Sequence, residues 1–284
     1  MLMTKAYAKI NLGINVINKD EKDSYHNLDM VVVPIELHDR IEIEVLPFGF
    51  DTLITSDDKE LPTDETNIVY KVEKALQEKC HYKEKLRIHI HKIIPVGAGL
   101  GGGSADGAAV LIGINKLLKL KLTLDELCEI GLKVGSDIPF CLKNISSRVQ
   151  GKGNILTPLK QKKHYEVLIL FPKKGLSTKD VYINYDKVGT SITADIEGII
   201  SSLEKDNLNL LKQSMANQLE DSASSLFPGL LDIKKEMFSE GLDNVVMSGS
   251  GSSLFSISSD KKLMKKVYNS LTSKGYNVVL TKTK

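Results

Sequence analysis

Five glycines, Gly97, Gly99, Gly101, Gly102 and Gly103, fall within seven positions of the stretch PVGAGLGGGSADGAAV (95–110), and the chain then runs directly into alanines and aliphatic residues. Each glycine gives up more backbone freedom on folding than any other residue, so such a run is costly unless something must approach the bare backbone. A flexible linker would lead into polar sequence. Here Ala105, Ala108, Ala109, Leu111, Ile112 and Leu117 follow, apolar at helical spacing. The run therefore sits at the mouth of a helix, where free amides and the helix dipole favour an anion, and the expected guest is a phosphate.

The 284 residues carry 38 basic and 36 acidic side chains, a formal net charge of +2. That near balance argues against a nucleic-acid surface built on net charge, although a local basic lining for a phosphorylated ligand is compatible with it. Ordinary apolar content suits one large domain or two smaller ones, with neither disorder nor a membrane span indicated. Cys80, Cys128 and Cys141 are odd in number and lack CxxC spacing. Neither a disulfide framework nor a zinc knuckle is expected, and reduced thiols fit the cytoplasm. The opening MLMTKAYAKINLGINV lacks the apolar core and cleavage site of a secretory signal.

From Ala6 to Val16 the residues alternate, with Tyr7, Lys9, Asn11, Gly13 and Asn15 on one face, which predicts a half-buried strand. A polar loop, NKDEKDSYHNL, leads into DMVVVPIEL and RIEIEV, which read as two strands joined by a turn at His38 and Asp39. Leu86 to His91 alternates again. Its polar face holds His89 and His91 at metal-like spacing, but Arg87 beside them favours an ordinary exposed face. The helix after the glycines is expected to reach about Leu118. A second opens with the capping box Thr123 to Glu126 and stops near Gly135. The segment SDIPFCLKNISSRVQGKGNIL reads as irregular, and the strand YEVLILF follows it, which puts a domain boundary at 1–160 and 161–284. Beyond it, helical spacing covers 196–203, 208–219 and 230–238. Then NVVM and LFSI flank a second glycine turn, followed by a helix over 261–271 and a last strand, YNVVLT. Mostly alternating strands with helices in both halves predict an α+β fold with largely antiparallel sheets.

Three glycine signatures compete for the loop. The P-loop needs Gly-Lys-Ser/Thr, and Gly103 precedes Ser104 where the lysine should be. Gly97, Gly99 and Gly102 satisfy GxGxxG, but a dinucleotide-binding strand should be continuously apolar whereas 86–91 alternates, and the acidic residues about 20 positions on sit at a helix start. The third signature fits. PVGAGLGGGSADGAAV resembles the phosphate loop of the GHMP kinases, and AKINL near the N-terminus and VVMSGSGSSLFSI near the C-terminus agree with it in order. AYAKINLGINV, SYHNLDMVVVPIELHDRIEI, TNIVYKV, GSDIPFCL and GKGNIL extend the resemblance over nearly the whole chain, toward members acting on a cytidine diphosphate-linked polyol.

The resemblance implies two domains, an N-terminal one like ribosomal protein S5 domain 2 and a C-terminal ferredoxin-like α+β one that completes the substrate cleft, with ATP and Mg²⁺ as cofactors. Pro95, Gly97, Gly99, Leu100, Gly101, Gly102, Gly103 and Ser104 would cradle the ATP phosphates, with the Ser104 hydroxyl near Mg²⁺. Ser104 also reads as an N-cap, and Asp106 as a first-turn carboxylate. Asn67 and Lys92 match positions lining the adenine pocket, and Gly249 and Gly251 belong to the second glycine turn. Asp137 in GSDIP matches the catalytic aspartate and Lys9 in AKINL its lysine partner. From the residues alone, Asp137 reads as a capping or turn carboxylate before Pro139 and Lys9 as a solvated strand lysine, and the resemblance reverses both readings. Asn11 shares a strand face with Lys9, coherent with a substrate contact. Tyr25 and His26 match the cytidine-binding loop, and Thr178 and Tyr182 match further substrate positions, Tyr182 as a second stacking aromatic or simple helix packing.

Ser24 stands where a glycine is common before Tyr-His, Ser252 and Ser253 replace a usual Pro-Thr, and Lys152 and Asn154 replace a common Arg and Glu. These departures bear on acceptor affinity and rate more than on reaction class. The rival expectations are a homoserine or mevalonate kinase, an ATP-binding homologue without catalysis, and the dinucleotide oxidoreductase. No nucleic-acid or membrane partner is expected, and the molecule is expected to be a monomer or homodimer.

Overall fold

The computed structural model describes residues 1–21, 24–47 and 51–284, so Lys22 and Asp23 of the predicted polar loop lie outside the described residues. In chain order the elements are β1 (Leu2–Lys19), β2 (His26–Val45), β3 (Leu53–Ser56), α1 (Ile68–Cys80), β4 (Leu86–His91), α2 (Gly102–Leu117), α3 (Leu124–Leu132), α4 (Ile138–Lys143), β5 (Ser147–Gly151), β6 (Ile155–Pro158) and β7 (Glu166–Phe171). They continue with α5 (Thr178–Val188), α6 (Ile196–Lys205), α7 (Leu208–Ser214), β8 (Ala216–Asn217), α8 (Glu220–Leu226), α9 (Gly229–Ser239), β9 (Val246–Met247), β10 (Leu254–Ser258), α10 (Lys261–Ser273) and β11 (Asn277–Lys282). Among the described residues no helix is long and apolar enough to cross a membrane.

The chain forms two compact units, both discontinuous in sequence. The first comprises Met1–Ala8, Leu37–Val96 and Gly101–Asn144. Here the Arg40–Val45 part of β2 pairs antiparallel with β4, and β4 pairs parallel with β3. Alternation along β4 puts Leu86, Ile88 and Ile90 in the core, with Arg87, His89 and His91 on the other face. Helices α1 to α4 pack over those apolar residues, and Val72, Leu76, Val110, Leu111, Ile114 and Ile138 are fully buried among them. Gly107 and Gly131 let the helices close up: a Cβ on Gly131 would lie 2.5 Å from Ile138.

The second unit comprises Lys9–Glu36, Gly97–Leu100 and Ile145–Lys284. The Leu28–Val32 part of β2 carries the β5–β6 hairpin, and β1 pairs parallel with β8 at Gly13 and Ile14. A separate four-stranded sheet runs β11-β7-β10-β9, antiparallel throughout. Strand β7 is buried along its whole length, with α10 covering it through Met264, Val267 and Leu271.

Several expectations need correction. There is no turn at His38 and Asp39, because β2 runs on for 20 residues. Asp39 is fully buried, and its carboxylate accepts from the Ile93 and Ile94 amides. Strand β1 is buried on both faces from Ala8 to Ile14. The segment read as irregular holds α4, β5 and β6, and the helix expected over 208–219 stops at Ser214, where β8 joins β1. Strand β3 and helices α1, α5 and α8 are additional. The capping box at Thr123 and Glu126 is present in both halves.

Candidate active site

In the second unit, the buried polar residues of β1 meet the first half of the glycine loop. Lys9, 6% exposed, donates from Nζ to Asn11 Oδ1 at 2.7 Å and to the Gly99 carbonyl at 3.1 Å, and its amide donates to the Leu100 carbonyl at 3.0 Å. It is no solvated strand lysine. The Ser248 hydroxyl reaches the same Gly99 carbonyl at 3.0 Å. Gly99 has φ +74, and a Cβ there would lie 2.1 Å from the Ser248 carbonyl oxygen. A Cβ on Gly249 would come within 2.8 Å of Gly99 O. The two glycine turns thus pack backbone against backbone. Gly97, also at positive φ, has open space where a Cβ would stand. Gly97 and Gly99 in this part of the loop are both at positive φ, the conformation that glycine favours.

In the first unit the loop ends on α2. Gly101, at φ +70, is the N-cap, which corrects the reading of Ser104 as the cap and places Ser104 third in the helix. The first internal bond is Ala105 N to Gly101 O, so the amides at the helix start point outward, toward where an anion would lie. The Ser104 hydroxyl is 3.9 Å from the position of a Cβ on Gly135, which puts it beside the turn carrying Asp137. Asp137 is the half-buried N-cap of α4. Its side chain makes no capping bond, so the capping role is not what it serves.

Asp106 is not a first-turn carboxylate. It is buried in the second turn, where Lys92 Nζ bridges it at 2.7 Å and Asp39 at 2.6 Å. Burial pushes Asp106 up to about 8, with the Asp39 carboxylate adding to the rise and Lys92 opposing it. Lys92 is itself raised: burial pulls it down, and its two carboxylates outweigh that. The Lys92 ammonium is therefore committed to these acids. Asn67 caps α1, accepting from Val69 N at 2.8 Å. Sequence reasoning missed Asp39, because an Asp beside a His between apolar runs looks like a turn.

A third group lies in the second unit. His26, at the start of β2, stacks on Tyr182 of α5 with ring centroids 4.8 Å apart and meets Tyr185 edge-on. Its Nε2 is 2.6 Å from Asp186 Oδ1, and Lys19 Nζ takes the other oxygen at 2.5 Å. Burial pushes Asp186 up, but the hydrogen bonds from Lys19 and His26 hold it below the usual carboxylate range. Tyr25 is 67% exposed, with its ring accessible for stacking. Tyr182 thus packs on His26, and Thr178 bonds the Ser250 hydroxyl at 2.8 Å. Asp186 was missed, although it lies four residues after Tyr182 and so on the same helix face. Ser24 has φ +63, so the backbone at this departure keeps the conformation that glycine favours. Lys152 pairs with Asp20, and the Ser252 hydroxyl donates to the Lys174 carbonyl.

The model of the GHMP kinases N-terminal domain matches residues 67–144, and that of the GHMP kinases C-terminal domain matches 199–277. The chain belongs to the GHMP kinase family, and its two-domain α+β architecture is that of the family. Relatives named 4-diphosphocytidyl-2-C-methyl-D-erythritol kinase from Clostridium perfringens and Geobacillus kaustophilus are 37% and 38% identical over 270 residues, spanning 95% of this chain and 93% and 92% of theirs. A solved 4-(cytidine 5'-diphospho)-2C-methyl-D-erythritol kinase superposes with a TM-score of 0.83 at 27% identity, covering all of both chains.

Proposed function

We propose that this chain transfers the terminal phosphoryl group of ATP to the 2-hydroxyl of 4-diphosphocytidyl-2-C-methyl-D-erythritol, in the non-mevalonate route to isoprenoid precursors. The observation that carries the choice among GHMP kinases is the His26–Tyr182 stack beside exposed Tyr25, a flat aromatic and imidazole surface suited to a pyrimidine. Homoserine and mevalonate offer no base to such a surface.

In this reading the amides from Gly97 to Ser104 hold the ATP phosphates. Asn11, Thr178 and the Tyr25–His26 loop hold the acceptor, while Asn67, Lys92, Gly249 and Gly251 serve the nucleotide side, Lys92 by fixing the start of α2. As the acceptor oxygen bonds the terminal phosphorus, the bond to the bridging oxygen breaks, ADP leaves, and the alcohol proton passes to Asp137. Lys9 offsets the charge that develops on the phosphoryl group. A hindered tertiary alcohol makes alignment the main task, and fixed groups supply it without reorganisation.

Mg²⁺ takes oxygen ligands and is bound through few protein groups, with phosphate oxygens and waters completing its shell. The Ser104 hydroxyl beside the Asp137 turn fits that demand. Asp106, about 200° round the helix from Ser104, faces Lys92 and does not. When bound, the ion neutralises phosphate charge. Residues 1–160 carry the phosphate loop and the catalytic pair, and 161–284 supply the remaining substrate groups. An odd number of cysteines without CxxC spacing suits a cytoplasmic enzyme of small molecules, monomeric or homodimeric, with no nucleic-acid or membrane partner.

The test is ADP release with Mg·ATP and a panel of the diphosphocytidyl acceptor, homoserine, mevalonate and galactose. Turnover of the first alone is expected, and no turnover with it defeats the substrate assignment. Asp137→Asn is expected to lower kcat by about 10²- to 10⁴-fold. An unchanged rate removes Asp137 as the base.

A further inference from the structure

Away from the phosphate loop, the polar face of β4 gathers a set of ligand atoms that the kinase reaction does not use. One atom each from Asp57, His89 and His91 lie within 4.8 Å of one another. His89 and His91 are two apart on one strand and so share its outer face, with ring centroids 4.5 Å apart. Asp57 follows β3, which runs parallel to β4, and its amide bonds the Ile90 carbonyl. The arrangement is built by strand pairing, with the three groups arriving from two strands.

The neighbours orient these groups as they do around a metal. Imidazole ligands usually commit their second nitrogen to a protein acceptor, which fixes the ring and its tautomer. Here His89 Nδ1 meets the Thr55 hydroxyl at 2.7 Å, leaving Nε2 for a ligand. His91 Nε2 meets Glu42 Oε1 at 3.2 Å, leaving Nδ1, which is 3.3 Å from Asp57 Oδ2. The other oxygen of Asp57 is held by the Lys92 amide at 2.8 Å. Each candidate ligand therefore has one atom anchored by a neighbour outside the set, and Asp57 Oδ2 and His91 Nδ1 already face each other. Arg87, the charge that argued against a cation from sequence, is engaged by Glu44 at 2.9 Å.

We propose that Asp57, His89 and His91 form a binding site for a divalent transition-metal ion of the Zn²⁺ class. Two imidazoles and one carboxylate suit Zn²⁺, Co²⁺ or Ni²⁺, whereas Mg²⁺ prefers oxygen alone, so this site is separate from the nucleotide's ion. Ligand atoms on a tetrahedral ion with bonds of about 2.0–2.1 Å sit about 3.4 Å apart, so the set, all within 4.8 Å, closes by side-chain rotations drawing its widest pair in by at most about 1.4 Å. Asp57 is exposed and both histidines are half-exposed, which gives the ion an entry path and leaves a fourth position for water.

Calorimetric titration of the nucleotide-free full chain with Zn²⁺ tests this. One equivalent should bind with Kd of about 1 μM or tighter. His89→Gln/His91→Gln should weaken binding by at least about 100-fold and Asp57→Asn by about 10-fold or more, while Glu42→Gln, which loosens one ring only, weakens it less. Co²⁺ bound in place of Zn²⁺ should lack the thiolate charge-transfer band that Cys80, Cys128 or Cys141 would give. ADP production with Mg·ATP should match the parent in all variants, showing that they fold. Absence of stoichiometric binding, binding unaffected by the double substitution, or a thiolate band that persists in it overturns the proposal.

Discussion

Asp186 Oδ1 lies 2.6 Å from His26 Nε2, and this contact ties α5 to the first residue of β2. The same helix face presents Tyr182, whose ring stacks on that imidazole. Orientation of His26 is thus shared between a hydrogen bond and a ring contact.

Replacing Asp186 with Asn keeps the shape and removes the charge that the imidazole and Lys19 share. KM for the diphosphocytidyl acceptor is expected to rise about 3- to 10-fold with kcat within twofold of the parent, a loss of about 1 kcal/mol of ground-state binding. Steady-state kinetics with the acceptor varied checks this. A fall in kcat at unchanged KM contradicts a positioning role.

Gly99 and Gly97 both sit at positive φ, but only Gly99 is crowded, with a Cβ there at 2.1 Å from Ser248 O. Gly99→Ala combines left-handed strain with a backbone clash and should cost about 2–5 kcal/mol. Gly97→Ala carries the strain alone and should cost about 1–2 kcal/mol. Urea unfolding of the two variants measures the difference.

Lys9→Met preserves the buried stem and deletes the ammonium that lies between Asn11 and the Gly99 carbonyl. Activity should fall about 10²-fold or more in kcat, while the unfolding midpoint moves little because Ser248 still donates to Gly99 O. Parallel kinetics and denaturation separate the two effects.

Burial and the nearby Asp39 raise Asp106 in the folded state to about 8, from the 3.8 of an ordinary aspartate. Between those two values the folded chain holds a proton that the unfolded chain has released. Its stabilising contribution is therefore complete below pH 3.8 and is lost as pH rises through about 8. Asp106→Asn mimics the protonated acid and should flatten the decline in stability between about pH 4 and 8, read from unfolding free energies across that window. An unaltered slope would exclude Asp106 as the titrating group.

Much of the molecule can be read from local sequence. The alternation of Leu86 to His91, the capping box at Thr123 and the glycine run before α2 each rest on interactions within a few residues, and each is present as expected. The Asp39 and Lys9 environments were not readable in this way. Asp39 looked like a turn because its partners Lys92, Ile93 and Ile94 lie more than 50 residues away. Lys9 looked solvated because the Gly99 carbonyl that receives it lies 90 residues away in sequence.

What the sequence determined by itself was the family, the helix start that meets an anion and the identity of the residues offered for chemistry, because backbone conformation, capping and periodicity are set by near neighbours. What only the tertiary structure decided was which charges are buried together and which rings share a metal-sized space. Lys92 between two acids and His89 and His91 beside Asp57 both depend on strands brought side by side, and desolvation and hydrogen-bond geometry follow from that pairing.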